Sequence, residues 1–179
     1  MKRLQPVVWQ KGALLTPQHL QGQDRFAESL LQFRVEALNF RPWGFVDLQI
    51  DQEALSAGVL AIARATGLFP DGLPFDIPDS DPAPPPKPLG PSFEGRAEPA
   101  DAFLAIPHYR DHGINLSMAG QDFDTRYVAD VQIARDEASQ QSEKAVQVAR
   151  KNFRLLVEGE TNRGCSTLAF ARIGRTEAG

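Results

Sequence analysis

The chain has 179 residues, with 19 Lys plus Arg against 23 Asp plus Glu, a formal net charge of -4 and one cysteine. That length can bury one sizeable core, and the absence of any block of about five like charges leaves no electrostatic footprint for nucleic acid or anionic lipid. Cys165, being alone, excludes an internal disulfide and a thiolate zinc cage and suits a reducing cytoplasm. The opening MKRLQPVVWQKG has no apolar h-region, and no run of roughly 18 apolar residues occurs, so the sequence reads as neither exported by a standard signal nor inserted in a membrane.

Thr16-Pro17 is a helix start, with Thr16 placed to accept a hydrogen bond from an orphan amide and Pro17 pre-set for the first turn. Leu20, Ala27, Leu31, Val35 and Leu38 then fall on one face, which must pack on something. From Trp43 the period shortens. The segments WGFVDLQI, GVLAIARATG, AFLAIPHY, TRYVADVQIA, KNFRLLVEG and STLAFARIG are separated by turn signals and predict a mainly β fold, an antiparallel β-sandwich with an N-terminal helix. In the clearest, Tyr127, Ala129, Val131 and Ile133 share the face expected to lie on the core. A Pro70-Asp71-Gly72 turn opens a proline-rich loop over 70–91. Proline lacks the amide donor and fixes φ, so this stretch is expected to run over the surface as a stiff, extended connector and not as a central strand. Residues 136–149 read equally as a loop or a short helix. The expected organisation is a single domain over 1–179, with a segment and helix over 1–42 and the sandwich over 43–179.

Catalytic signals are weak. His108 and His112 have the i, i+4 spacing of paired zinc ligands, but Pro107 and Gly113 make their segment the end of a strand running into a turn, with no intervening glutamate. Asp71, Asp76, Asp79 and Asp81 lack the spacing and closing glutamate of a calcium loop and read as solvated turn residues. No phosphate loop, nucleophile elbow or nucleotide fingerprint is present, so no enzyme activity, metal or cofactor is expected. The PAPPPKP run from Pro82 to Pro88 would suit an SH3-like groove, but a stiff connector is the simpler reading.

The block VVWQKGALLTPQHLQGQDR, Val7 to Arg25, resembles the opening of the TssK family of type VI secretion baseplate subunits, also known as the ImpJ/VasE family. It is followed by Pro42-Trp43-Gly44-Phe45, by Asp51, Glu53, Ala54, Leu55 and Gly58, by Phe69-Pro70-Asp71-Gly72, and by the proline-rich segment. Val148-Ala149-Arg150, Asn152, Glu160 and Ala171-Arg172-Ile173 are similar to the family's closing strands. The sequence departs from the family at Arg163 to Thr167, where a tryptophan is common. The resemblance implies a domain like the shoulder of siphophage receptor-binding proteins, which docks on the wedge proteins TssF and TssG. It also implies self-association as a trimer through a helical neck, and contact with TssL and TssM through a C-terminal head. Neck and head would lie outside this chain, which reads as the first domain of longer members.

A docking surface needs apolar anchors within a polar rim. Pro6, Val8, Trp9, Leu14, Leu15 and Leu20 are the candidate partner-binding residues, because a short irregular segment holds so many large apolar side chains that they either cover the sandwich or meet a partner. For Trp9 and Trp43 covering the core is favoured. From another class, a carbohydrate-binding β-sandwich is the alternative, and it would need Trp9, Trp43, Tyr109 or Tyr127 side by side at the surface.

Overall fold

The first helix, α1, spans Pro17–Leu38. Its start is held by Thr16 and His19. The Thr16 hydroxyl pairs with His19 Nδ1 at 2.8 Å, and the Thr16 amide donates to the same nitrogen at 3.3 Å. His19 thus fills the place that Glu or Gln takes in a capping box. The computed structural model describes residues 5–8, 10, 12, 14–38, 40–94, 98–118, 124–136 and 143–174. It divides into two compact units, Met1–Trp43 and Gly44–Gly179.

In the first unit no residue of α1 is buried. The helix forms where the sequence places it, and Leu20, Leu31 and Leu38 of its apolar face are exposed. A 3.6-residue period decides which side chains share a face; it does not supply what covers them.

The second unit is mainly β. In chain order it contains β1 (Gly44–Ile50), α2 (Gln52–Ser56), β2 (Val59–Leu60), β3 (Ile62–Leu68), β4 (Pro74–Ile77), β5 (Lys87–Pro88), a 3₁₀ turn (Pro91–Phe93), β6 (Ala100–Pro107), β7 (Leu116–Ser117), β8 (Tyr127–Arg135), β9 (Glu143–Lys151), β10 (Arg154–Val157) and β11 (Cys165–Ile173). Sheet orders are β1-β3-β4, β10-β6-β11, β2-β5 and β7-β8-β9. All pairs are antiparallel except β7 with β8, which is parallel. The first two sheets close on one core: Ile62, Ala65, Phe75 and Ile77 from one, Ala102, Leu104, Ile106, Leu155, Val157 and Leu168 from the other. Phe69, fully buried, stacks on Phe153 at 6.0 Å and meets Phe75 edge-on at 5.2 Å. Each such large apolar side chain contributes about 1.5–3 kcal/mol by leaving water.

Two bulges set the faces. Val46 is an extra residue between Phe45 and Asp47, so Phe45 and Leu48, three apart, both pack against the core while Val46 stays 87% exposed. Phe170 is the extra residue on β11, between Ala169 and Ala171, but it packs against the core, edge-on to Phe45 at 6.2 Å.

Several expectations are corrected. The proline-rich stretch is not only a surface connector: it forms β4 and β5 and buries Phe75, Ile77, Asp81, Pro84 and Leu89. Its strand obeys the rule for proline all the same, because β4 is an edge strand with Pro74 at its first position. Residues 143–151 are neither loop nor helix but strand β9. Strand β8 forms as expected, yet its Tyr127/Ala129/Val131/Ile133 face does not lie on the core, since Val131 is 56% and Ile133 65% exposed. Strict alternation identifies a strand with two unlike faces, and here the ladder with β9 leaves both faces in solvent from Val131 to Arg135.

Candidate functional site

The N-terminal segment doubles back on its helix. A Cβ at Gly22 of α1 would meet Val7 Cγ2 at 3.2 Å, so Val7 sits close over a position that has no side chain, and it is half-buried there. That contact turns its neighbours outward. Pro6 and Val8 are exposed, as are Leu14 (81%), Leu15 (58%) and Leu20. Trp9 lies outside the described residues. Trp43, expected to cover the core, is 44% exposed. Of the residues the sequence singled out, those described therefore share exposure on one compact unit, with Phe40 beside them in kind, its ring under the Arg41 guanidinium at 5.4 Å. Uncovered large apolar side chains are thus concentrated in this unit.

The polar candidates are occupied elsewhere. Asp71 accepts from Arg126, itself only 4% exposed, at 2.8 Å; Asp79 pairs with Arg64 at 3.1 Å; and Asp81, buried, holds Lys151 Nζ at 2.7 Å. Asp76 accepts from the Ser80 hydroxyl at 3.0 Å. Asp79, with its side chain 62% exposed, and Asp71, which accepts from the Leu73 amide two residues on, are the turn residues expected, whereas Asp81 is buried and paired. His108 and His112 are exposed beyond the end of β6, and no metal-holding group of three or more His, Cys, Asp or Glu occurs among the described residues. Burial pushes the Cys165 thiol up, Arg154 lowers it and Asp124 raises it again; the net direction is upward, away from a reactive thiolate.

Glu160 fastens the chain around the proline-rich stretch. It accepts from Lys87 at 2.9 Å, from the Ser92 hydroxyl at 3.2 Å and from the Val157 amide at 3.1 Å. Burial pushes its carboxyl upward, but Lys87 and the two further hydrogen bonds outweigh that and hold it below its ordinary value. An open groove of about 500 Å³ runs beside the short helix, lined by Ile50, Leu55, Leu60, Leu89, Phe93 and Ile173, among others. Among the described residues of its lining, Arg172 is the only ionisable one.

Among the described residues no helix is long and apolar enough to cross a membrane.

The fold has counterparts among known proteins. Residues 19–179 match the model of the bacterial type VI secretion family of EvfL, ImpJ and VasE. The chain is 36% identical over 174 residues to the type VI secretion system baseplate component TssK1 of Pseudomonas aeruginosa, covering 96% of this chain and 38% of that protein. It therefore spans well under half of that relative's length. A crystal structure of TssK superposes with a TM-score of 0.83 at 29% identity, over 94% of this chain and 39% of that one. A chain of the TssK-TssF-TssG baseplate subcomplex, seen by cryo-electron microscopy, superposes with a TM-score of 0.87 at 27% identity, over 99% of this chain and 58% of that one. On the strength of a family match over most of its residues and a relative above 30% identity across nearly all of them, the chain belongs to the ImpJ/VasE family of type VI secretion proteins.

Proposed function

We propose that this chain is a structural adaptor domain of the type VI secretion baseplate that docks on a TssF/TssG wedge, and that Pro6, Val8, Trp9, Leu14, Leu15 and Leu20 contribute to the docking surface. The observation that carries the reading is the superposition of 99% of the chain on a protein solved in a TssK-TssF-TssG subcomplex. The exposure of Val8, Leu14, Leu15 and Leu20 supports the choice of surface, because desolvating such side chains is the usual source of interface free energy. In a longer protein the domain would act within a trimer at the cytoplasmic face of the inner membrane, with TssL and TssM met by another domain. No step of this role calls for catalysis.

The test is co-purification with TssF and TssG from the same gene cluster, with mass read by light scattering on a sizing column. Leu14→Asp with Leu15→Asp is expected to abolish the complex and leave the circular dichroism spectrum unchanged, since surface substitutions away from packed features usually shift stability by only about ±0.5 kcal/mol. A complex that survives both substitutions would place the docking surface elsewhere, and a variant that unfolds would return the segment to the core.

A further inference from the structure

Strands β8 and β9 form a nine-rung ladder, Tyr127↔Lys151 to Arg135↔Glu143, without a register shift. From Val131 to Arg135 and from Glu143 to Gln147 every residue is exposed. No core residue comes from either strand. A two-stranded ribbon standing in water on its own is marginally stable and free to swing about its root. Here the root is tied down with unusual density.

Arg126, immediately before β8, donates from Nη1 to Asp71 at 2.8 Å and to the carbonyl of Pro107, the last residue of β6, at 2.9 Å. Lys151, the last residue of β9, reaches Asp81 at 2.7 Å, and Asp81 also accepts from the Asp76 amide at 3.0 Å. One cation precedes β8 and the other ends β9, and the two carboxylates flank β4 in sequence. Asn152 closes the root from below: its amide donates to the Arg126 carbonyl and its side chain to the Thr125 carbonyl, both at 2.9 Å.

We propose that β8–β9 is a rigid arm whose direction is locked at its root by the ion pairs Arg126–Asp71 and Lys151–Asp81. Arg126 is 4% exposed and Asp81 8% by side chain, so the attraction is little screened by salt, and losing either carboxylate leaves a cation in low dielectric without its counter-charge. This also gives the proline-rich stretch a task. Pro78, Pro82 and buried Pro84 restrict the backbone around Asp81 in advance, so its carboxylate is held where Lys151 needs it at little further entropic cost.

The arm's direction is read by electron spin-label distances in a Cys165→Ser background, with labels at Gln147→Cys on β9 and Gln49→Cys on β1, both exposed positions. The otherwise unaltered protein should give a single narrow distance peak. Asp71→Asn and Asp81→Asn keep the shape of the side chain and remove its charge; together they should lose that peak to a broad distribution while near-ultraviolet circular dichroism stays native. If the double variant does not fold, each single variant is measured, and each should broaden the peak. A peak that stays narrow in a folded variant would overturn the proposal, because the ion pairs would then not be needed beside the strand pairing, the Asn152 bonds and the Arg126 bond to the Pro107 carbonyl.

Discussion

Gly67 on β3 faces Phe45 across the β1 bulge. A Cβ at that position would stand 2.2 Å from the Gly44 carbonyl oxygen, 2.7 Å from Phe75 Cζ and 3.0 Å from Phe45 Cα, where ordinary contact begins at 3.4 Å. Two of these three neighbours are backbone and cannot rotate away. Gly67→Ala must therefore push β1 aside by about 1 Å and tilt the ring of Phe75, which is 3% exposed and part of the core. Overpacking of this kind costs about 1–3 kcal/mol, and each strained ladder bond adds about 0.5–1.5 kcal/mol. We expect a loss of about 3 kcal/mol, which at a urea dependence of about 1–3 kcal/mol per molar lowers the unfolding midpoint by about 1 M or more. Gly90→Ala is the internal control. Gly90 has φ -46 and ψ -57, which alanine adopts without strain, and nothing lies within 4 Å of its Cβ position. That substitution should raise stability by about 0.4–1 kcal/mol through the unfolded chain. Urea titration of both variants, followed by fluorescence, gives the comparison. A Gly67→Ala midpoint within error of the parent, or a shift of the same sign for both variants, would refute the reading of this bulge as an enforced backbone approach.

Val131→Thr with Ile133→Thr should change stability by no more than about 0.5 kcal/mol, because both side chains already stand in solvent; a loss of several kcal/mol on thermal unfolding would show a covered face. Glu160→Gln tests linkage. Since the folded carboxyl lies below its ordinary value of 4.5, Glu160 stabilises the fold above that pH, and the contribution is lost as pH falls through the lowered folded value. Glu160→Gln should therefore be less stable than the parent at neutral pH, with the gap closing under acid, and a gap that widens toward low pH would contradict the ion pair with Lys87.

What the sequence revealed followed from local rules. Thr16-Pro17 marked the start of α1, and the turn-bounded apolar segments marked β1, β3, β6, β8, β10 and β11. Strands escaped notice where the local signal pointed elsewhere. Prolines hid β4, although an edge position admits them, and the Ala, Gln, Lys and Arg of Glu143–Lys151 lack the apolar contrast that identifies a strand, so β9 was visible only through its partner β8. Bulges at Val46 and Phe170 break the alternation on which face assignment rests. The pairs Asp71–Arg126 and Asp81–Lys151 join residues 55 and 70 positions apart in sequence. Only the tertiary fold brings them together. The N-terminal docking candidates were visible as an excess of apolar residues, but whether the chain covers them itself was a question of packing.

The core of the second unit is drawn from few segments. Its buried members run from Leu60 to Ile106 and from Phe153 to Leu168, and none comes from α1, β8 or β9. The free energy that holds the sandwich is thus concentrated in two stretches of chain, while Leu14, Leu15, Leu20, Val131 and Ile133 remain in water. Substituting these exposed residues can alter association without altering folding, whereas substituting Phe69 or Leu104 cannot. Apolar side chains left outside a core that closes without them are, on solubility grounds alone, a standing liability. The separation of core from surface is what allows each exposed face to be substituted and tested on its own.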